Sequence, residues 1–169
     1  FRDFGIQTLN ISDLIPETLI PEGVVTKKTP SKLDIIDADR AELILKSTSS
    51  SDIGQSLVVS QGLCVAIETL PGTDAMLNFV SLHLFDSRPN KAMESGILFK
   101  GKKTGQTIFI DLPAVGPETV KRAHLAGLVG IVIEENSVIV LQKKRMISLA
   151  NELGIFIWSR KNKLDGNKL

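Results

Sequence analysis

Asp111 stands at the end of a β-rich run, Gln106 to Leu112, and is followed by Pro113-Ala114-Val115-Gly116-Pro117-Glu118-Thr119. Pro117 suits the first position of a helix, where its missing N–H is no loss. The helical pattern runs to Ala126 and stops at Gly127, a good residue to follow a helix end. Asp111 therefore lies where a strand ends and a helix N-terminus opens. Free amide N–H groups and the positive end of the helix dipole favour an anion there. A carboxylate beside such a place can hold a divalent cation against a phosphorylated ligand; it also suits a plain turn cap. Gly72-Thr73-Asp74 repeats the loop-to-helix arrangement, with Thr73 as a natural N-cap and Asp74 in the first turn. That placement is a sufficient structural reason for Asp74, and a second anion or metal site is the functional alternative. Lys100 precedes and Lys103 lies within a basic, Gly-flanked loop, Gly101 to Gly105, that lacks the order and spacing of a Walker motif. Either lysine can meet a phosphate as a point charge. Asp52 reads as a turn former, with a ligand role as the alternative. His83 has no second His or Cys at ligand spacing.

The elements that position these residues alternate along 169 residues, enough for one ordinary domain or a domain with a fragment. The chain is 43% hydrophobic and 23% charged, which is a globular composition. A net charge of +1 argues against broad electrostatic binding of nucleic acid. Cys64 is the single cysteine, so no internal disulfide forms and a reducing compartment is expected. No apolar run approaches the length of a membrane span.

Residues 1–30 read as the end of an N-terminal unit and a linker punctuated by Pro21-Glu22-Gly23 and Thr29-Pro30. The opening Phe1-Arg2-Asp3-Phe4-Gly5 looks like entry in mid-helix, so the chain is expected to be a piece of a longer protein. Ser31 as N-cap with Asp34 three residues on starts a helix whose apolar set is Leu33, Ile36, Leu43 and Leu45. Ser47 to Ser51 reads as a polar loop. Ser56–Ser60 and Leu63–Glu68 form a hairpin about Gln61-Gly62. A helix follows Pro71 to about Phe85, with Met76, Val80 and Leu84 on one face. Gly96 to Lys100 is a strand. Val129–Glu134 and Ser137–Leu141 read as a second hairpin, with Glu134 facing solvent. A helix from Lys143 to Leu153 ends at Gly154, and Ile155 to Trp158 is a buried strand. Residues 159–169 are expected to be a disordered tail. The sum is an α/β domain over residues 31–158, with a mixed sheet and flanking helices.

Six stretches, taken in order, resemble one family: Asp52-Ile53-Gly54-Gln55, Gln61-Gly62…Ala66-Ile67-Glu68, Gly72-Thr73-Asp74-Ala75-Met76, Ile97-Leu98-Phe99-Lys100, Asp111-Leu112-Pro113…Val115-Gly116-Pro117-Glu118-Thr119 and Ala126-Gly127-Leu128-Val129-Gly130-Ile131. Together they are similar to the C-terminal domain of the UDP-2,3-diacylglucosamine pyrophosphatases of the I type, enzymes of lipid A biosynthesis. The resemblance covers roughly residues 20–158. It implies a two-domain protein, Rossmann-like at its N-terminal end, that holds a lipid substrate between the domains. It implies Mg²⁺-dependent hydrolysis of UDP-2,3-diacylglucosamine to lipid X and UMP, in the cytoplasm or at the periphery of the inner membrane. Asp111 matches the family aspartate tied to catalysis and Asp74 a second aspartate. Both are the expected catalytic and metal-binding residues, with Lys100, Thr73, Gly72, Gly116 and Thr119 as expected substrate contacts. A homodimer is an expected assembly. The chain departs from the family pattern at Pro71, Thr107, Phe109 and Ala114, which supports an alternative: a divergent member that binds a phosphorylated lipid or nucleotide without cleaving it.

Overall fold

A reciprocal capping box starts the first helix: the Ser31 hydroxyl accepts from the Asp34 N–H while the Asp34 carboxylate accepts from the Ser31 N–H. The computed structural model of the chain describes residues 5, 15–87, 96–103 and 112–163. Among the described residues, eight strands and four α-helices follow a 3-10 turn at Pro16–Thr18: β1 (Gly23–Val24), α1 (Lys32–Ser49), β2 (Ser56–Ser60), β3 (Leu63–Ile67), α2 (Gly72–Ser87), β4 (Ile97–Lys100), β5 (Ala114–Val115), α3 (Pro117–Leu125), β6 (Gly130–Glu134), β7 (Ile139–Val140), α4 (Lys143–Glu152) and β8 (Phe156–Arg160). Six strands make one mixed sheet in the order β1-β8-β6-β4-β2-β3. Strands β4, β6 and β8 are parallel; β2 runs against β4, and β3 against β2. This is the α/β class expected from the alternation of elements.

The central strands bury both faces, which is why they are nearly continuous apolar runs. Val58, Leu98, Ile131, Ile133 and Ile157 face the layer of α2, α3 and α4. Leu57, Val59, Ile97, Phe99, Val132 and Phe156 face α1. Each such side chain contributes about 1.5–3 kcal/mol of burial. Crossovers through α3 and α4 carry the chain from β4 to β6 to β8, the connection that parallel neighbours require.

Several expectations are corrected. Residues 129–141 are not a hairpin: β6 pairs in parallel with β4 and β8, and β7 pairs in parallel with β5 in a separate two-stranded sheet. Glu134 is only 5% exposed, because Gly101 and the Lys102 N–H close over its carboxylate. Helix α1 absorbs Ser47 to Ser49 and buries Asp37, Ala38, Ala41, Glu42 and Leu45, while Leu33, Ile36 and Leu43 face outward. Its polar inner residues have distant partners: Asp37 accepts from the N–H groups of Gln61 and Gly62, and Glu42 accepts from Arg160. The stretch read as a linker supplies edge strand β1, with Ile20 in the core. The start of the expected tail is also ordered. Ser159 and Arg160 are buried in β8, and the Lys163 N–H donates to Glu42. Among Met76, Val80 and Leu84, the first two are buried, and the side chain of Leu84 lies outside the described ones.

Candidate functional site

The parallel strands end at one edge of the sheet, at Lys100, Glu134 and Arg160. Helix α2 follows β3 of this sheet, and α3 and α4 follow β5 and β7 of the small sheet; the N-terminal turns of all three meet at one cleft. In open α/β sheets ligands bind at this edge.

Helix α3 starts as the sequence predicts. Gly116 is its N-cap, Pro117 its first residue, and the Gly116 N–H donates to the Thr119 hydroxyl at 3.2 Å. Gly127, at φ +69°, ends it, a conformation that glycine adopts without a steric penalty. A cleft of about 390 Å³ opens here, bordered by Asp74 from α2, Gly116, Pro117 and Thr119 from α3, and Gln142 and Arg145 from α4. Three residues singled out from sequence, Asp74, Gly116 and Thr119, thus meet in one cavity. Asp74 is 62% exposed at its side chain, and its carboxylate lies 3.2 Å from Arg122 Nε. The same guanidinium lies 3.3 Å from Glu118. These are charge contacts without hydrogen-bond alignment at Nε. Solvent screens pairs of this kind, so each contributes little to stability. Asp111 lies outside the described residues, as do Thr107 and Phe109.

Thr73 and Lys100 lie beneath the cleft rather than on it. Lys100 is 7% exposed. Its ammonium donates to the Thr73 hydroxyl at 2.6 Å and stands 3.9 Å from Glu68 Oε2. Ser56 donates to the same Glu68 oxygen and its hydroxyl touches that of Thr73 at 3.3 Å. Burial pulls the Lys100 amine below the usual lysine range, against the opposing pull of Glu68 and Asp74. Thr73 is not the N-cap: α2 begins at Gly72, and the threonine sits inside the first turn, tied down by Lys100. Gly72, at φ +87°, borders a neighbouring apolar groove of about 350 Å³ with Ala66, Ile67, Met76 and Phe79. Asp52 is exposed and pairs with Lys103, as a turn residue would. Phe79 stacks against His83, with ring centroids 4.5 Å apart.

The arrangement can bind a polyanion through a helix N-terminus and nearby cations, with Asp74 beside it. Among the described residues no three His, Cys, Asp or Glu side chains are grouped to hold a metal ion; Asp74, exposed and in a screened contact with Arg122, is a carboxylate at the cleft. Sequence reasoning passed over Glu68, Ser56, Gln142 and Arg145. The last pair carried a signal: Lys143, Lys144 and Arg145 fill the first turn of a helix with no acid, against the dipole.

The family description "LpxI C-terminal domain" matches residues 21–158. The chain is 34% identical over 157 residues to a protein of Caulobacter vibrioides named UDP-2,3-diacylglucosamine pyrophosphatase LpxI. The match covers 93% of this chain and 56% of that protein, so the chain spans about half the length of its curated relative. No described helix is long and apolar enough to cross a membrane. The chain belongs to the LpxI C-terminal domain family.

Proposed function

We propose that this chain is the C-terminal part of a hydrolase that cleaves the diphosphate of UDP-2,3-diacylglucosamine, giving lipid X and UMP in lipid A biosynthesis. The observation that carries this reading is the cleft at the strand ends, where Asp74, Gly116 and Thr119 converge in a member of this family. Free N–H groups in the first turn of α3 suit a phosphate oxygen. Lys100 holds the first turn of α2 through Thr73, and so fixes Asp74 at the rim. The apolar groove beside Gly72 suits a segment of acyl chain, because a hydrocarbon buried there leaves water. Residues 31–158 form the substrate-facing domain, and the rest of the cleft belongs to an N-terminal domain. Magnesium dependence, a cytoplasmic site of action at the periphery of the inner membrane and a homodimer are parts of the same reading. The metal requirement leans on Asp111 and Asp74, since magnesium takes one or two carboxylates beside the substrate phosphates.

The test is turnover of UDP-2,3-diacylglucosamine by the full-length protein, with Mg²⁺ and with a chelator. The expected products are lipid X and UMP, lost on chelation. The departures from the family pattern at Pro71, Thr107, Phe109 and Ala114 favour a second reading, in which the domain binds such a ligand without cleaving it. Calorimetric binding of the substrate without turnover is the result that selects it.

A further inference from the structure

Two cations line the cleft, Lys121 and Arg145, and Arg122 and Lys143 adjoin its lining residues. Lys121 lies 3.7 Å from Glu118. Arg122 sits between Asp74 and Glu118. Lys143 turns away and donates to the Leu19 carbonyl at 3.0 Å. Lys143 and Arg145 have no carboxylate within ion-pair distance among the described residues, and of the two only Arg145 lines the cleft; its polar contact is a hydrogen bond from Nη1 to the Gln142 side-chain carbonyl at 3.2 Å. Gln142 is held in the left-handed region, φ +49° and ψ +49°, where a non-glycine residue is strained. That strain turns the chain into α4 with Gln142 at the cleft and its side chain against Arg145. The first turn of α4 also concentrates three cations at the positive end of its dipole, a placement that weakens a helix unless an anion sits there.

We propose that Arg145, oriented by Gln142, is the arginine that grips a phosphate of the nucleoside diphosphate in this cleft. The proposal rests on the reading of the cleft as a diphosphate site and deepens it by naming the group that recognises the charge. A guanidinium fork matches two phosphate oxygens, which an ammonium cannot do. Arg145 is the binding residue; Gln142 acts through it as a positioning residue.

The experiment uses the full-length protein and two readouts: turnover of UDP-2,3-diacylglucosamine, and calorimetric binding of UMP and of inorganic pyrophosphate. Arg145→Ala is expected to weaken UMP and pyrophosphate binding about ten- to hundredfold, the range for a lost charge-assisted contact. KM should rise by a similar factor with circular dichroism unchanged. Arg145→Lys should recover only part of the loss, since the charge returns without the fork. Gln142→Gly keeps the left-handed backbone and removes the amide; it should raise KM several-fold and leave kcat near the parent value. A merely structural role for Gln142 predicts no such split, because glycine relieves the strain. Turnover by the parent with unchanged KM and binding in Arg145→Ala overturns the proposal and leaves the hydrolase reading standing. Arg145-dependent pyrophosphate binding without turnover supports the proposal while the hydrolase reading fails. Neither binding nor turnover in the parent overturns both.

Discussion

Thr73→Val is a small change with a large expected effect. The substitution keeps shape and removes one oxygen, the acceptor 2.6 Å from the Lys100 ammonium. Lys100 is nearly buried, and its remaining carboxylate neighbour, Glu68, is 3.9 Å away. A hydrogen bond to a charged group contributes about 1.5–3 kcal/mol, and a buried donor left unmade loses its full solvation. The expected destabilisation is therefore about 2 kcal/mol. Lys100→Met should cost more, about 3 kcal/mol, because it strands the largely buried Glu68 carboxylate without its cation. The hydroxyls of Thr73 and Ser56 then keep each other and Glu68 as partners. Urea denaturation of both singles and the double gives the coupling, expected to be about 1 kcal/mol or more. The penalty also depends on pH. Burial places the folded-state Lys100 amine below its unfolded value, so between the two values the unfolded chain holds a proton that the folded one lacks. Stability from this group therefore rises as pH climbs through the folded value towards 10.5, and the Thr73→Val penalty shrinks over the same window. Equal stability of Thr73→Val and parent at neutral pH, or a coupling near zero, refutes this account of the cluster.

Two further perturbations probe the scaffold. Asp37→Ala leaves the N–H groups of Gln61 and Gly62 without their acceptor at a turn where both residues have positive φ, and should cost about 2 kcal/mol by urea denaturation. Asp37→Asn should cost less, and parent should gain on it as pH falls, because burial raises the folded Asp37 carboxyl above 3.8 and the folded state takes up the proton first. A Cβ on Gly130 would overlap the Phe156 ring directly across the strand pair, so Gly130→Ala should lower the melting temperature by roughly 10 °C, with partial recovery in Gly130→Ala/Phe156→Leu.

Local signals were legible where one residue type answers one backbone need. The Ser31–Asp34 box, Pro117 after Gly116, the Gln61-Gly62 turn and the stops at Gly127 and Gly154 all stand as the sequence implies. Pairing was less legible. An apolar run such as Gly130 to Glu134 shows that a strand is buried but not whether its neighbour comes by a tight turn or by a crossover. Glu134 read as a surface residue because its burial depends on Gly101 and Lys102, more than thirty residues away. The face of α1 misled for a related reason. Its inner acids serve a distant turn and a distant arginine, so polarity there marks partners rather than solvent. At the cleft, Asp74, Gly116 and Thr119 were visible as helix-start residues. Arg145 was legible only as one of three cations in a helix's first turn; its place at the cleft depends on the left-handed backbone of Gln142. Asp111, the residue on which the sequence argument turned, lies outside the described residues.

The central claim is therefore tested most directly at Asp111. The measurement is Mg²⁺-dependent release of UMP from UDP-2,3-diacylglucosamine by the full-length protein beside its Asp111→Ala variant, with folding followed by circular dichroism. The account expects turnover in the parent and its loss, by a factor of about a thousand or more, in a variant that stays folded. A folded Asp111→Ala variant that turns over at the parental rate contradicts it.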